Sequence, residues 1–210
     1  MVNIYGINRS NLKFFTDAVF GVAITLLAVD FAIPHVGPDN SFNESEIDDL
    51  VLNVVMFVIS FVIIGLYWIT YQSVFNMVSK TTDLTVWLNI IFLMFITMIP
   101  FTFKLTNVYD TNIYAYGFYC VVQIFAGSML FGIWVHTQKS KLYPPDKNIS
   151  REIRSLTYFR TIIIPVVFAI SLGTLVYSLE LAVGFAFLII PASLGMRFIY
   201  RAKKDLYLAD

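Results

Sequence analysis

In the stretch NLKFFTDAVFGVAITLLAVDFAIP, residues 11–34, the carboxylate of Asp17 and the mid-helix hydroxyl of Thr25 interrupt an apolar run. A carboxylate in such a place can carry a coupling proton or sodium ion, ligate a passing cation, or brace its helix by accepting hydrogen bonds from neighbours. A hydroxyl facing an ion path can replace part of the ion's hydration shell. Little else in the sequence is reactive. His35 and His136 are the two histidines and fall near the ends of different helices, while Cys120 is the sole cysteine, so no disulfide or Cys-based metal site is expected. H-E-x-x-H, G-x-S-x-G and Walker-type motifs are all missing from the sequence. An enzyme is therefore not expected, and neither is a cofactor, a fixed metal or a nucleic-acid partner.

Membrane helices must position these residues. The chain has 210 residues, 58% hydrophobic and 13% charged, and its mean hydropathy is +0.75. Crossing about 30 Å of hydrocarbon takes roughly 20 mainly apolar residues as a helix, because every backbone amide must find its partner within the segment. Six stretches meet that requirement, 12–34, 50–75, 83–103, 112–136, 158–178 and 180–199, and they make residues 1–210 a single all-α membrane domain. Six crossings put the N-terminus, loops 76–82 and 137–157 and the C-terminus on one side. Every Lys and Arg except Lys104 lies there, which predicts cytoplasmic termini.

On the other side, residues 35–50 carry Asp39, Glu44, Glu46, Asp48 and Asp49 with no cation among them. The stretch reads either as a solvated loop or as a collar that concentrates cations at a pore mouth. In the fourth helix, Ser128 and Gly132 have a small-xxx-small spacing suited to helix packing. Pro100, Pro165 and Pro191 are positioned to kink helices three, five and six.

At about 100° per residue, Phe15, Ala18, Leu26, Val29 and Ile33 fall within about 40° of Val22, with Thr25 about 60° to one side. Asp17 lies about 140° from Val22 and so faces elsewhere. The stripe around Val22 suits an ordinary packing face or the lining of an ion path.

Phe15, Thr16 and Asp17, followed by AVFGVAITLLAVDFAIP, are similar to the F-S-D signature and the run after it in the prokaryotic relatives of the endosomal and lysosomal potassium channel, transmembrane protein 175. The resemblance continues through SFVIIGLYWITYQSVF in the second helix and LNIIFLMFITMIPF in the third, while helices four to six match in hydropathy and loop charge. Asn11 stands where that signature has arginine, and Tyr71 and Gln72 stand where the family usually has two histidines.

The resemblance implies a homotetramer in a bacterial inner (plasma) membrane, with the first helices of its subunits around a central path for K+ and other monovalent cations. It implies a potassium-permeable leak channel without a carbonyl filter, lined by Val22, Thr25, Leu26 and Val29, with K+ passing transiently near Thr25. Phe15, Thr16 and Asp17 would then form the signature, bracing the first helix through Trp68, Tyr71, Gln72 and Asn89. Two other readings fit the residues: a secondary transporter coupling through Asp17, and a membrane scaffold. The sequence FFTDAVFG has no second copy in residues 104–210, which weighs against a transporter built from repeats.

Overall fold

The helices follow from the apolar runs but extend beyond them. A computed structural model describes residues 6–29, 44–109, 112–143 and 151–189, together with Pro191 and Gly195. In chain order these residues form α1 (Arg9–Val29), α2 (Glu44–Phe75), α3 (Asp83–Val108), α4 (Ile113–Lys139), α5 (Arg151–Thr174) and α6 (Leu179–Phe187). No strand occurs among the described residues. Helices α1 to α5 each contain a stretch long and apolar enough to cross a membrane. The described part of α6 is 9 residues.

Two helices start well before their hydrophobicity predicts, α2 at Glu44 instead of residue 50 and α5 at Arg151 instead of residue 158. Apolar composition marks only the part that needs hydrocarbon, whereas the backbone ladder continues through polar turns on either side. The acidic stretch is thus helical from Glu44 onward, while residues 35–43 and the outer end of the first apolar run, including Ile33, lie outside the described residues.

Helix starts are capped by short polar side chains, which take over backbone donors that have no partner within the helix. Asn8 Oδ1 accepts from the Asn11 N–H at 2.8 Å. Thr82 caps α3, Asn112 caps α4 and Ser178 caps α6. The α4 stop is a Schellman turn in which Leu142 N–H reaches Thr137 O at 3.2 Å and Lys141 N–H reaches Gln138 O at 3.3 Å. Lys141 sits at the left-handed position of that turn, with φ of 48°.

Beyond this turn, the Leu142 carbonyl accepts from the Ser79 and Lys80 amides at 2.7 and 3.4 Å and from the Ser79 hydroxyl at 3.0 Å. Thr81 Oγ1 donates to Ile7 O at 2.5 Å. One end of the subunit thereby joins three separate chain segments.

Helices α3, α4 and α5 pack in succession, with α6 on α5, and α1 lies chiefly on α3 and α2. An aromatic cluster fixes that seat. Phe20 of α1 lies 6.4 Å from Tyr71 and 5.9 Å from Phe92, and Tyr71 stacks on Phe75 of its own helix at 4.2 Å. Such ring pairs contribute roughly 0.5–1.5 kcal/mol each beyond their area burial.

Helices α4 and α5 approach tightly at Gly127, where a β-carbon would meet Pro165 Cδ at 2.5 Å. The predicted Ser128–Gly132 spacing falls beside it on the helix: Gly132 faces Leu88 of α3, 4.0 Å from where its β-carbon would be. Polar groups close the α4–α5–α6 junction, with Ser171 Oγ donating to Ala182 O at 2.6 Å and Tyr116 Oη reaching the same carbonyl at 3.0 Å.

Candidate functional site: the α1 face and its brace

The first helix has two distinct sides. Leu12, Thr16, Phe20, Ala23 and Leu27 are buried, following the spacing that keeps one helical face against a partner. Opposite them, Phe14, Phe15, Ala18, Gly21, Val22, Thr25, Leu26 and Ala28 are exposed on the single subunit. Val22 is 56% exposed and Leu26 43%, values that leave both free for contact with other subunits, an ion path or lipid. The Val29 side chain lies outside the described residues.

Thr25 stands on this exposed face with Val22 and Leu26. Its hydroxyl donates to Val22 O of its own helix at 2.9 Å. The proton is thus committed to the backbone, and the lone pairs remain as acceptors. That arrangement suits a cation better than an anion.

On the other side, Asp17 Oδ1 accepts two hydrogen bonds from α2, from Trp68 Nε1 at 2.8 Å and from Gln72 Nε2 at 2.6 Å. Bonds to an ionised carboxylate are shorter and stronger than neutral ones, so two donors from adjacent turns of α2 fix the rotation of α1. Thr16, one residue earlier, is fully buried and accepts from Asn89 Nδ2 of α3 at 3.0 Å. Asp17 and Thr16 therefore tie α1 to two different helices.

Tyr71 joins this region through its ring, which lies nearly parallel to Phe92 at 6.0 Å, while its buried hydroxyl makes no hydrogen bond. Phe15 stays outside the network, with its ring 53% exposed on the single subunit. Two residues before Asp17, it is turned by about 200° around the helix, away from the α2 donors. Phe14, at 79% exposed, extends the outer face in a way that the narrow stripe drawn around Val22 did not include. Lys13 Nζ reaches Asn76 Oδ1 at 3.3 Å, adding a further α1–α2 contact near the position where the signature has arginine.

His136 bonds Thr82 Oγ1 through Nε2 at 2.8 Å, joining the end of α4 to the cap of α3. Among the described residues no group of three or more His, Cys, Asp or Glu side chains is placed to hold a metal.

Residues 11–100 match the family model described as endosomal/lysosomal potassium channel TMEM175. The endosomal/lysosomal proton channel TMEM175 of Gallus gallus is 32% identical over 140 residues, which are 61% of this chain but 28% of that protein. A protein named a potassium channel from Streptomyces collinus is 27% identical over 189 residues, covering 86% of this chain and 84% of its own length. A crystal structure of a lysosomal potassium-selective channel TMEM175 homolog from Chamaesiphon minutus shares the fold, with a TM-score of 0.76 at 22% identity over 90% of this chain and 97% of that one.

Proposed function

We propose that this chain, whose residues 11–100 match the TMEM175 family model, forms a potassium-permeable, leak-type homotetrameric channel in which the exposed face of α1 lines a central path. The carrying observation is the division of α1 into a side held by α2 and α3 and an apolar side left open, with Val22 at 56% exposed. Four-fold association would gather those open sides around one axis.

Val22 and Leu26 would then form apolar rings that narrow and partly dewet the path, with Val29 continuing the lining. Between them a ring of Thr25 hydroxyls, their protons already donated inward to the backbone, would offer oxygen lone pairs to a partly dehydrated ion. Potassium gives up water more readily than sodium, so such a constriction favours potassium moderately.

Asp17 braces the pore helix in this reading and is not an ion ligand. Two donors on one of its oxygens support that role over one as a transport coupling site. The protein would sit in a bacterial plasma membrane with cytoplasmic termini, in contact with lipid around its outer helices.

The vertebrate relatives carry the name proton channel, yet this chain spans only 28% of the Gallus gallus protein and 84% of the Streptomyces collinus protein named for potassium. The reading follows the relative of matching length. Purified full-length protein in liposomes, assayed for potassium flux with sodium and proton gradients as separate arms, tests it. Potassium flux exceeding sodium flux is the expected result; no flux, or flux that saturates and requires a proton gradient, overturns it.

A further inference from the structure

Two polar atoms at the α1–α2–α3 junction have no protein partner. Tyr71 Oη and Asn89 Oδ1 are both buried without a hydrogen bond, and both parent residues have 0% exposure. Each parent side chain lies next to Thr16, whose Oγ1 accepts from Asn89 Nδ2 at 3.0 Å and has the Tyr71 hydroxyl beside it. Turning the Asn89 amide over does not resolve the problem. Oδ1 would then take the Thr16 hydroxyl, and Nδ2 would be left alone.

An unpaired polar group in an apolar interior costs about 1–3 kcal/mol, and native proteins fill most such sites with ordered water. We infer that a water molecule is bound at this junction, accepting from the Tyr71 hydroxyl and donating to Asn89 Oδ1, within reach of Thr16. A monovalent cation would satisfy the oxygens but would leave the Tyr71 O–H without an acceptor. Water does both, because it accepts and donates at once. The site adjoins the carboxylate brace, so the seat of α1 on its neighbours is partly wet, and the helix is held there through an exchangeable molecule as well as by direct bonds.

The inference is independent of ion conduction, since its tests measure stability and labelling of the full-length protein in detergent or nanodiscs. Tyr71→Phe removes one hydroxyl and little volume. With water bound, the variant loses a satisfied bond, and Tm falls by about 2–4 °C, the shift one ordinary hydrogen bond produces in a chain of this size. With a dry junction, the same variant removes an unpaired polar group, and Tm rises. The second arm is X-ray radiolytic labelling with a scavenger for bulk radicals, in which a bound water oxidises the ring beside it. Tyr71 becomes labelled while Trp134, itself only 3% exposed, does not. An unchanged or raised Tm, or an unlabelled Tyr71, overturns the inference.

Discussion

Gly127 of α4 and Pro165 of α5 lie so close that a β-carbon on the glycine would stand 2.5 Å from the proline Cδ. Both neighbours are stiff: a helix backbone on one side and a closed ring on the other. Gly127→Ala forces the two helices apart, and forced overpacking of this kind costs typically 1–3 kcal/mol. A lower melting temperature and a reduced yield of assembled protein on size exclusion are the expected results. Gly184, where an added β-carbon meets nothing within 4 Å, provides the control, since Gly184→Ala leaves both measurements close to those of the parent.

Asp17→Ala removes both α2 donors' acceptor at once. Hydrogen bonds to a charged group are worth roughly 1.5–3 kcal/mol in soluble proteins, and those inside membranes average less, so a loss of about 2 kcal/mol is expected. Asp17→Asn keeps an acceptor of the same shape and loses about half as much. Melting curves of Asp17→Ala, Asp17→Asn and Trp68→Phe rank them, and a well-assembled Asp17→Ala with parental selectivity would remove the brace from the argument.

Permeation tests the opposite side of the same helix. Val22→Ala widens the proposed apolar ring and raises potassium flux. Thr25→Val keeps the shape and removes the oxygen, lowering the potassium-to-sodium ratio by about fivefold if the ring contributes about 1 kcal/mol of preference. Reconstituted flux in both ions measures this. Unaltered permeation in both variants would place the narrow point on other residues.

Ser171→Ala opens the α4–α5–α6 junction by taking away a donor to Ala182 O and a partner of Tyr116 Oη at 2.8 Å. Tyr116 still reaches that carbonyl, so the loss stays near 1 kcal/mol. Thermal unfolding reads it. The double variant Ser171→Ala with Tyr116→Phe destabilises by more than the sum of the single changes, because only then does Ala182 O lose both of its side-chain donors.

Lys141 occupies a backbone conformation that a β-carbon disfavours, at φ of 48°. Lys141→Gly relieves that strain and raises stability by about 1 kcal/mol. The same melting assay shows a rise in Tm, provided the Schellman turn is retained.

The sequence made the helical class, the apolar runs and the side of α1 bearing Val22 legible because each depends on local composition or on a fixed angular period. The family resemblance offered Trp68, Tyr71, Gln72 and Asn89 as a group of partners for Thr16 and Asp17 without saying which meets which; Asp17 bonds Trp68 and Gln72, Thr16 bonds Asn89, and the Tyr71 hydroxyl makes no hydrogen bond. Periodicity alone could say only that Asp17 faces away from Val22. Gly127 was missed in favour of Ser128 and Gly132 because spacing does not reveal which small residue a distant proline will meet. The contact of Leu142 with Ser79 and Lys80 was invisible for a similar reason, since a backbone carbonyl has no signature in the sequence.

That last contact has a mechanical outcome. The Leu142 carbonyl gathers the α2–α3 link, Thr81 clasps Ile7 just before α1, and His136 ties α4 to the cap of α3. With these segments pinned into one block, α1, α2, α3 and α4 behave as levers whose fulcrum is at that end, so displacement grows with distance from it. Any widening of the subunit is therefore greatest at the far tips of the helices and smallest beside Thr81, and a load applied to the stop of α4 is delivered directly to the root of α1.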